Sequence, residues 1–286
     1  MSNREGEGTK RGLSRRTFVA SGLAAGTALV GGTLYAAMEK KEDPKPAAPS
    51  TELPWSYVRL DPWEASRRAH DHYLDKDGCG TGAWLGLLSL LREKVGFPYT
   101  ALPDRMFDHA SNGYANQGTL CGALGACAAV INLVAYYGQG THKKLIENLF
   151  TWYANTPLPS VRFDAISAYP DQVQVTPHSP LCHVSESTWA GAAGAAIGSE
   201  EKRARCAKVT AETVYQTVVI LNEYLDAKFA PVSAGLSAET HYCLSCHGPR
   251  ADDNQQGMMT CTVCHDDHTQ SGRAVSSLNE KPPRGY

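Results

Sequence analysis

The chain has 286 residues, 42% of them hydrophobic and 20% charged, which is enough apolar content for a sizeable core in one or two domains and excludes a low-complexity polymer. Its formal charge is −2; eight of the 27 Lys/Arg but five of the 29 Asp/Glu fall in the first fifty residues, so the rest is acidic and offers no basic surface for nucleic acid. Nine cysteines, an odd number, exclude a framework built of disulfides alone.

The first segment is an address rather than part of a fold. Ser14, Arg15, Arg16, Thr17 and Phe18 lead into an apolar, Gly/Ala-rich run ending at Met38, the layout of a twin-arginine export signal over residues 1–38. A transmembrane helix with chance flanking arginines is the competing reading, and the glycines of the run make it a mild one. No clean Ala-x-Ala cleavage site follows, so an uncleaved anchor and membrane attachment stay open. Either way the body is expected beyond the membrane, in the periplasm. Residues 39–54, charged and then Pro/Ala-rich, read as an extended linker.

The fold begins near Trp55. Asp61 as N-cap, Pro62 at the first helical position, Glu64 as capping-box partner and Gly78 as stop predict a helix over 62–76. A second helix is expected through GAWLGLLSLLREKVG. A third covers GTLCGALGACAAVINLVAYYG, where Leu120, Leu124, Cys127, Ile131 and Val134 recur with the spacing of one buried face. Thr141 is expected to cap HKKLIENLFTWYAN, and 156–180 reads as a Pro-rich loop. The last long helix starts at SEEKRARC, with Ala207, Ala211, Val214, Val218, Leu221 and Leu225 on one side. Strand patterns are weak, so the class is mainly α, with a helical domain over 55–230.

Beyond about Ala230 the pattern collapses. The large apolar side chains that remain, chiefly Leu244, Met258, Met259, Val263, Val275 and Leu278, are too few for a core, so the short, irregular segment 231–286 needs a prosthetic group to be ordered. It holds CLSCH and CTVCH. In the first, the thiols of Cys243 and Cys246 can add across two porphyrin vinyl groups while His247 reaches the iron; Cys261, Cys264 and His265 repeat the arrangement. The segment therefore reads as a dihaem c segment with two covalently attached haems. A zinc site would take the same four cysteines, but it leaves both histidines unexplained and sits poorly in an exported protein. Distal ligands are sought among His268, then His241 and His109, with Met258 or Met259 as thioether alternatives.

Five cysteines remain. Cys127, on the apolar stripe, reads as a buried core thiol. Cys79, Cys121, Cys182 and Cys206 lie at or near element ends, where four thiolates can converge; two disulfides plus one free thiol is the alternative in an oxidising compartment. The stretches GCGTGAWLGLLSLL, TLCGALGACAAVINL, Cys182 and RCAKVTAETV resemble the redox-associated C-GCAxxG-C-C family, and with two haem motifs appended the chain over 60–268 resembles the split-Soret cytochromes c. Ala126 stands where that motif is expected to carry its second glycine. The resemblance implies that Cys79, Cys121, Cys182 and Cys206 hold one iron–sulfur cluster, [2Fe–2S] or [4Fe–4S], beside two haems c per chain in a homodimer. The expected role is electron transfer with transiently bound redox proteins; alternatives are a haem-based reductase of a small substrate and a zinc-stabilised binding module.

Overall fold

Helix α1 (Pro62–Lys76) starts where the sequence places its punctuation. The Asp61 carboxylate accepts from the backbone N–H groups of Trp63 at 2.7 Å and Glu64 at 3.0 Å, and Pro62 fills a position whose N–H would have had no partner in the helix. Glu64, expected as the reciprocal cap, binds Arg68, which also reaches Glu93 of the next helix. A guanidinium outcompetes a single backbone N–H for a carboxylate. The computed structural model describes residues 50–76, 78–136, 140–230, 238–248 and 259–265; the export signal and linker expected over residues 1–38 and 39–54, the latter all but its last five residues, and Met258 and His268 lie outside the described residues.

Gly78 separates α1 from α2 (Cys79–Lys94), which begins three residues before GAWLGLLSLLREKVG and so takes Cys79 as its first residue. Most of α2 is buried. It approaches α1 closely through small residues: a Cβ on Gly86 would stand 2.6 Å from the Ala69 Cβ, and one on Gly82 would stand 2.9 Å from the Ala69 carbonyl oxygen. Helices α3 (Gly122–Ala135), α4 (Thr141–Asn155) and α6 (Glu200–Leu225) complete the core. Here α2 packs on α1, α3 and α6, and α3 on α4 and α6. Trp84, Leu87, Leu88, Leu91, Leu124, Ile131, Leu149, Val214 and Val218 fill the space between them, each large side chain worth roughly 1.5–3 kcal/mol on full burial. Cys127 lies in this core, as the stripe predicts.

Further details differ from the sequence reading. Gly140, with φ of 76°, occupies the cap of α4, and Thr141 is its first residue. The segment 156–180 contains a 3-10 turn, Val161–Ile166, capped by Ser160. Leu225, placed on the buried face of α6, is exposed because it falls in the last turn, beyond the packed neighbours. The haem-motif segment, expected to be irregular, opens with helix α7 (Ala238–His247). Among the described residues there is no strand, only the isolated antiparallel bridges Leu120–Leu181 and Leu158–Val175, and no helix is long and apolar enough to cross a membrane.

Candidate metal centres

The bridge at Leu120–Leu181 brings two distant cysteines side by side. The Cys121 N–H donates to the Pro180 carbonyl at 3.0 Å, the Cys182 N–H to the Thr119 carbonyl at 2.7 Å, and the His183 N–H to the Gly118 carbonyl at 3.0 Å. Cys121 thereby becomes the N-cap of α3, and Cys182 the first residue of α5 (Cys182–Ala193). Cys79 opens α2 and approaches from the other side: a Cβ on Gly122 would stand 2.8 Å from its Sγ. Cys206 comes from the second turn of α6 and packs with Tyr73 and Cys79. The four residues that the family resemblance implies thus interact with one another electrostatically, while Cys127 stands apart in the core.

The thiols form two pairs. Cys79 donates its proton to Cys121; this bond and burial hold the Cys79 thiol well above the ordinary range. The same bond, with further donation from the backbone N–H groups of Leu124 and Ala123 and from Tyr153, draws Cys121 down to about 6 against the cost of burial. In the second pair, Cys182 and Cys206 both donate to Oε1 of Glu186, at 3.5 and 3.3 Å. Burial pushes Cys206 up to about 12 and raises Cys182 as well, with the neighbouring Glu186 and Cys121 adding to the shift. Cys127 is pushed up to about 12 chiefly by burial in the apolar core, against a hydrogen bond with Thr217 and with a smaller contribution from Cys121, which marks an inert thiol.

This donor set fits an anionic sulfur-ligated group. Cys79, Cys121 and Cys182 stand at the N-termini of three helices, where the backbone field favours negative charge. A cation entering the site would displace the protons that the pairs now hold against mutual repulsion. All nine cysteines are unbridged. Among the described residues no three His, Cys, Asp or Glu side chains are close enough for a single ion, so iron here needs donors that close in on binding or are shared across more than one metal.

Sequence reasoning missed three parts of the surroundings. Glu186 lies four residues after Cys182, one turn along a helix that was not predicted; that spacing was its only signal. Arg205 precedes Cys206 and is buried beside it, its Nη1 3.7 Å from the Cys206 sulfur. The third is the loop before α3, where residues 112–116 all take positive φ, from 49° to 72°. A left-handed run of this length is costly for side chains other than glycine, and the Asn-rich SNGYANQG was its signal. The loop presses Gly113 against Cys182, where a Cβ would stand 2.7 Å from the Cys182 Cβ, and lays Tyr114 across Gly125. Space that only a glycine leaves is therefore used at Gly125, one residue before Ala126, where a Cβ would stand 2.0 Å from the Tyr114 hydroxyl.

The two haem motifs lie on separate turns. Cys243 and Cys246 are one helical turn apart on α7, with His247 closing the helix; Cys261 begins a 3-10 turn, Cys261–Val263, followed by Cys264 and His265. Cys246, Cys264 and His265 are exposed, Cys243 and Cys261 half-buried, and Thr240 is the one buried residue of α7. Unbridged thiols on an open helix face suit covalent attachment of a flat apolar ring. His241 is exposed on α7, and Met259 is exposed before Cys261. His109 is exposed on the left-handed loop's approach, its ring 5.9 Å from that of Phe107 and 5.5 Å from that of Tyr114, so it lies beside the four-cysteine site.

Comparison with known proteins adds three findings. The family model for redox-active proteins of the C_GCAxxG_C_C type matches residues 86–220, a span that holds Cys121, Cys182 and Cys206 and starts after Cys79. The chain is 30% identical over 265 residues to the split-Soret cytochrome c of Desulfovibrio desulfuricans, covering 88% of this chain and 94% of that one. A solved structure of a split-Soret cytochrome c from the same species, described as containing a novel iron centre, aligns with a TM-score of 0.68 at 30% identity, over 80% of this chain and 95% of that one.

Proposed function

The chain belongs to the split-Soret cytochrome c family, a redox family whose role is electron transfer, and from that premise we propose that it is an exported dihaem electron carrier whose helical body holds an iron–sulfur cluster. The observation that carries the cluster is the meeting of Cys79, Cys121, Cys182 and Cys206 from four helices, Cys79 bonded to Cys121 and both Cys182 and Cys206 donating to Glu186. Cys243 and Cys246 hold one haem covalently and Cys261 and Cys264 the other, with His247 and His265 as proximal ligands. When bound, these groups supply one-electron chemistry. The protein supplies sulfur and nitrogen donors, three helix N-termini that favour the cluster's negative charge, and a body that keeps water from Cys121, Cys182 and Cys206. Export by the twin-arginine signal supports the reading, since that route carries folded proteins. His268, His241 and His109 stand as candidate distal ligands, and transient redox partners follow from the role.

The test is metal and haem analysis of the protein expressed with a haem-attachment system. Two haems per chain should survive acid–acetone extraction, alongside non-haem iron and acid-labile sulfide. Cys121→Ser and Cys206→Ser should each lower iron and sulfide while leaving haem intact. Cys127→Ser should keep the cluster and cost about 1–2 kcal/mol of stability by burying a hydroxyl in the core. Zinc without haem would overturn the haem reading; an unchanged iron count in the first two variants would overturn the cluster reading.

A further inference from the structure

Arg205 is a buried cation without a carboxylate. It is 2% exposed, and among the described residues no Asp or Glu comes within ion-pair distance of its guanidinium. Its Nη2 donates to the Ser185 carbonyl at 3.3 Å and to the Ser185 hydroxyl at 2.7 Å, its Nη1 faces the Cys206 sulfur at 3.7 Å, and its Nε has no acceptor. The Trp189 ring lies 5.9 Å away. Lys208, one turn further along α6, shows the ordinary solution to the same problem: it is equally buried and paired with Asp164. An unpaired guanidinium removed from water is strongly unfavourable. Glu186 lies outside ion-pair distance, its carboxylate held by Lys202 at 3.5 Å and by the two thiols, and adds only a longer-range pull on the guanidinium.

We propose that Arg205 is the counter-ion of the sulfur-ligated group at Cys206, placed to raise that group's reduction potential; this rests on the reading of Cys206 as a cluster ligand. Position supports it independently. Cys79, Cys121 and Cys182 each stand at a helix N-terminus, but Cys206 lies inside α6 and has no such field. Arg205 is the larger source of positive potential at that corner, ahead of Lys202, whose charge is taken up in part by its pairing with Glu186. Reduction adds negative charge to the group, so a fixed adjacent cation favours the reduced form.

The experiment compares wild type, R205M and R205K as full-length holoprotein, by potentiometric titration of the cluster's paramagnetic signal. R205M should titrate at lower potential: at a fixed solution potential its reduced-to-oxidised ratio falls about tenfold, equivalent to about 59 mV for a one-electron couple. R205K should recover most of the loss. Thermal unfolding before and after removal of the cluster by a chelator gives a second readout. Wild type should lose more on cluster removal than R205M, because only wild type is left with an uncompensated buried charge. If R205M does not accumulate, R205Q against R205K carries the comparison. Equal potentials, or equal losses on chelation, would overturn the assignment and make Arg205 a packing residue. Absence of acid-labile sulfide in wild type would overturn the cluster reading and this inference with it.

Discussion

His70 shows how burial sets a charge state at one side chain. It lies on the inner side of α1, 2% exposed, with Nδ1 3.6 Å from Asp71, too far for a hydrogen bond. Burial lowers its pKa and Lys208 adds to the effect, against the opposing pull of Asp71; Glu200 and Arg203 line the small cavity beside it. Because the folded value lies below the unfolded one of about 6.5, the neutral ring's contribution is present in full above about pH 6.5 and is lost as pH falls through the folded value. Urea midpoints at about pH 7.5 and about pH 5.5 should therefore fall further in wild type than in His70→Gln; equal falls would show that another group titrates. At this scale the sequence was legible where chemistry is written in residue type. The apolar stripe set Cys127 apart, and the structure buries it in the core; the Cys-x-x-Cys-His spacing carries the expectation of haem attachment. Glu186, Arg205 and His70 were not legible, because their roles depend on which neighbours burial removes or supplies, and nothing in a one-dimensional pattern separates a buried arginine from a solvated one.

Elements were read best where capping residues and apolar periodicity agree, as for α1 and α6. Helix α5 went unpredicted because its buried side is Cys182, Ser185, Trp189 and Ala190: the spacing is helical, but a serine and small side chains break the hydropathy signal. Helix α7 was hidden similarly, since its sequence has no apolar face to bury. The junctions carry the four-cysteine site, and they respond to volume more than to propensity. Gly122→Ala, at the first residue of α3, should gain about 1 kcal/mol of helix propensity. Its Cβ would, however, drive into the Ala110 carbonyl and stand 2.8 Å from the Cys79 sulfur. A net loss of about 1–3 kcal/mol is expected, with reduced acid-labile sulfide. Gly191→Ala in α5, where a Cβ meets nothing within 4 Å, should instead gain up to about 1 kcal/mol. Denaturant unfolding of the two variants decides; a stabilised Gly122→Ala would mean that the α3 end has room and that the site is looser than its geometry indicates.

At the scale of the whole molecule the deciding quantity is apolar surface. The described part of the segment with the two Cys-x-x-Cys-His motifs buries Thr240 and little else, while Tyr242 is 63% exposed and Cys246, Met259 and Cys264 are exposed. Between the motifs the sequence supplies Asp252, Asp253, Asn254, Gln255 and Gln256, side chains that favour water over a porphyrin face. Two macrocycles attached here must therefore cover each other, the helical body, or the same segment of a second chain, and a twofold dimer closes such a contact with one self-complementary surface. Haems brought together in this way couple their transitions. The expected outcome is a dimer in sedimentation and a split Soret band, with Cys261→Ala combined with Cys264→Ala abolishing the splitting and weakening the dimer by removing one apolar face from the contact. A monomer with a single symmetric Soret band would mean that each haem finds its cover within its own chain rather than against a partner.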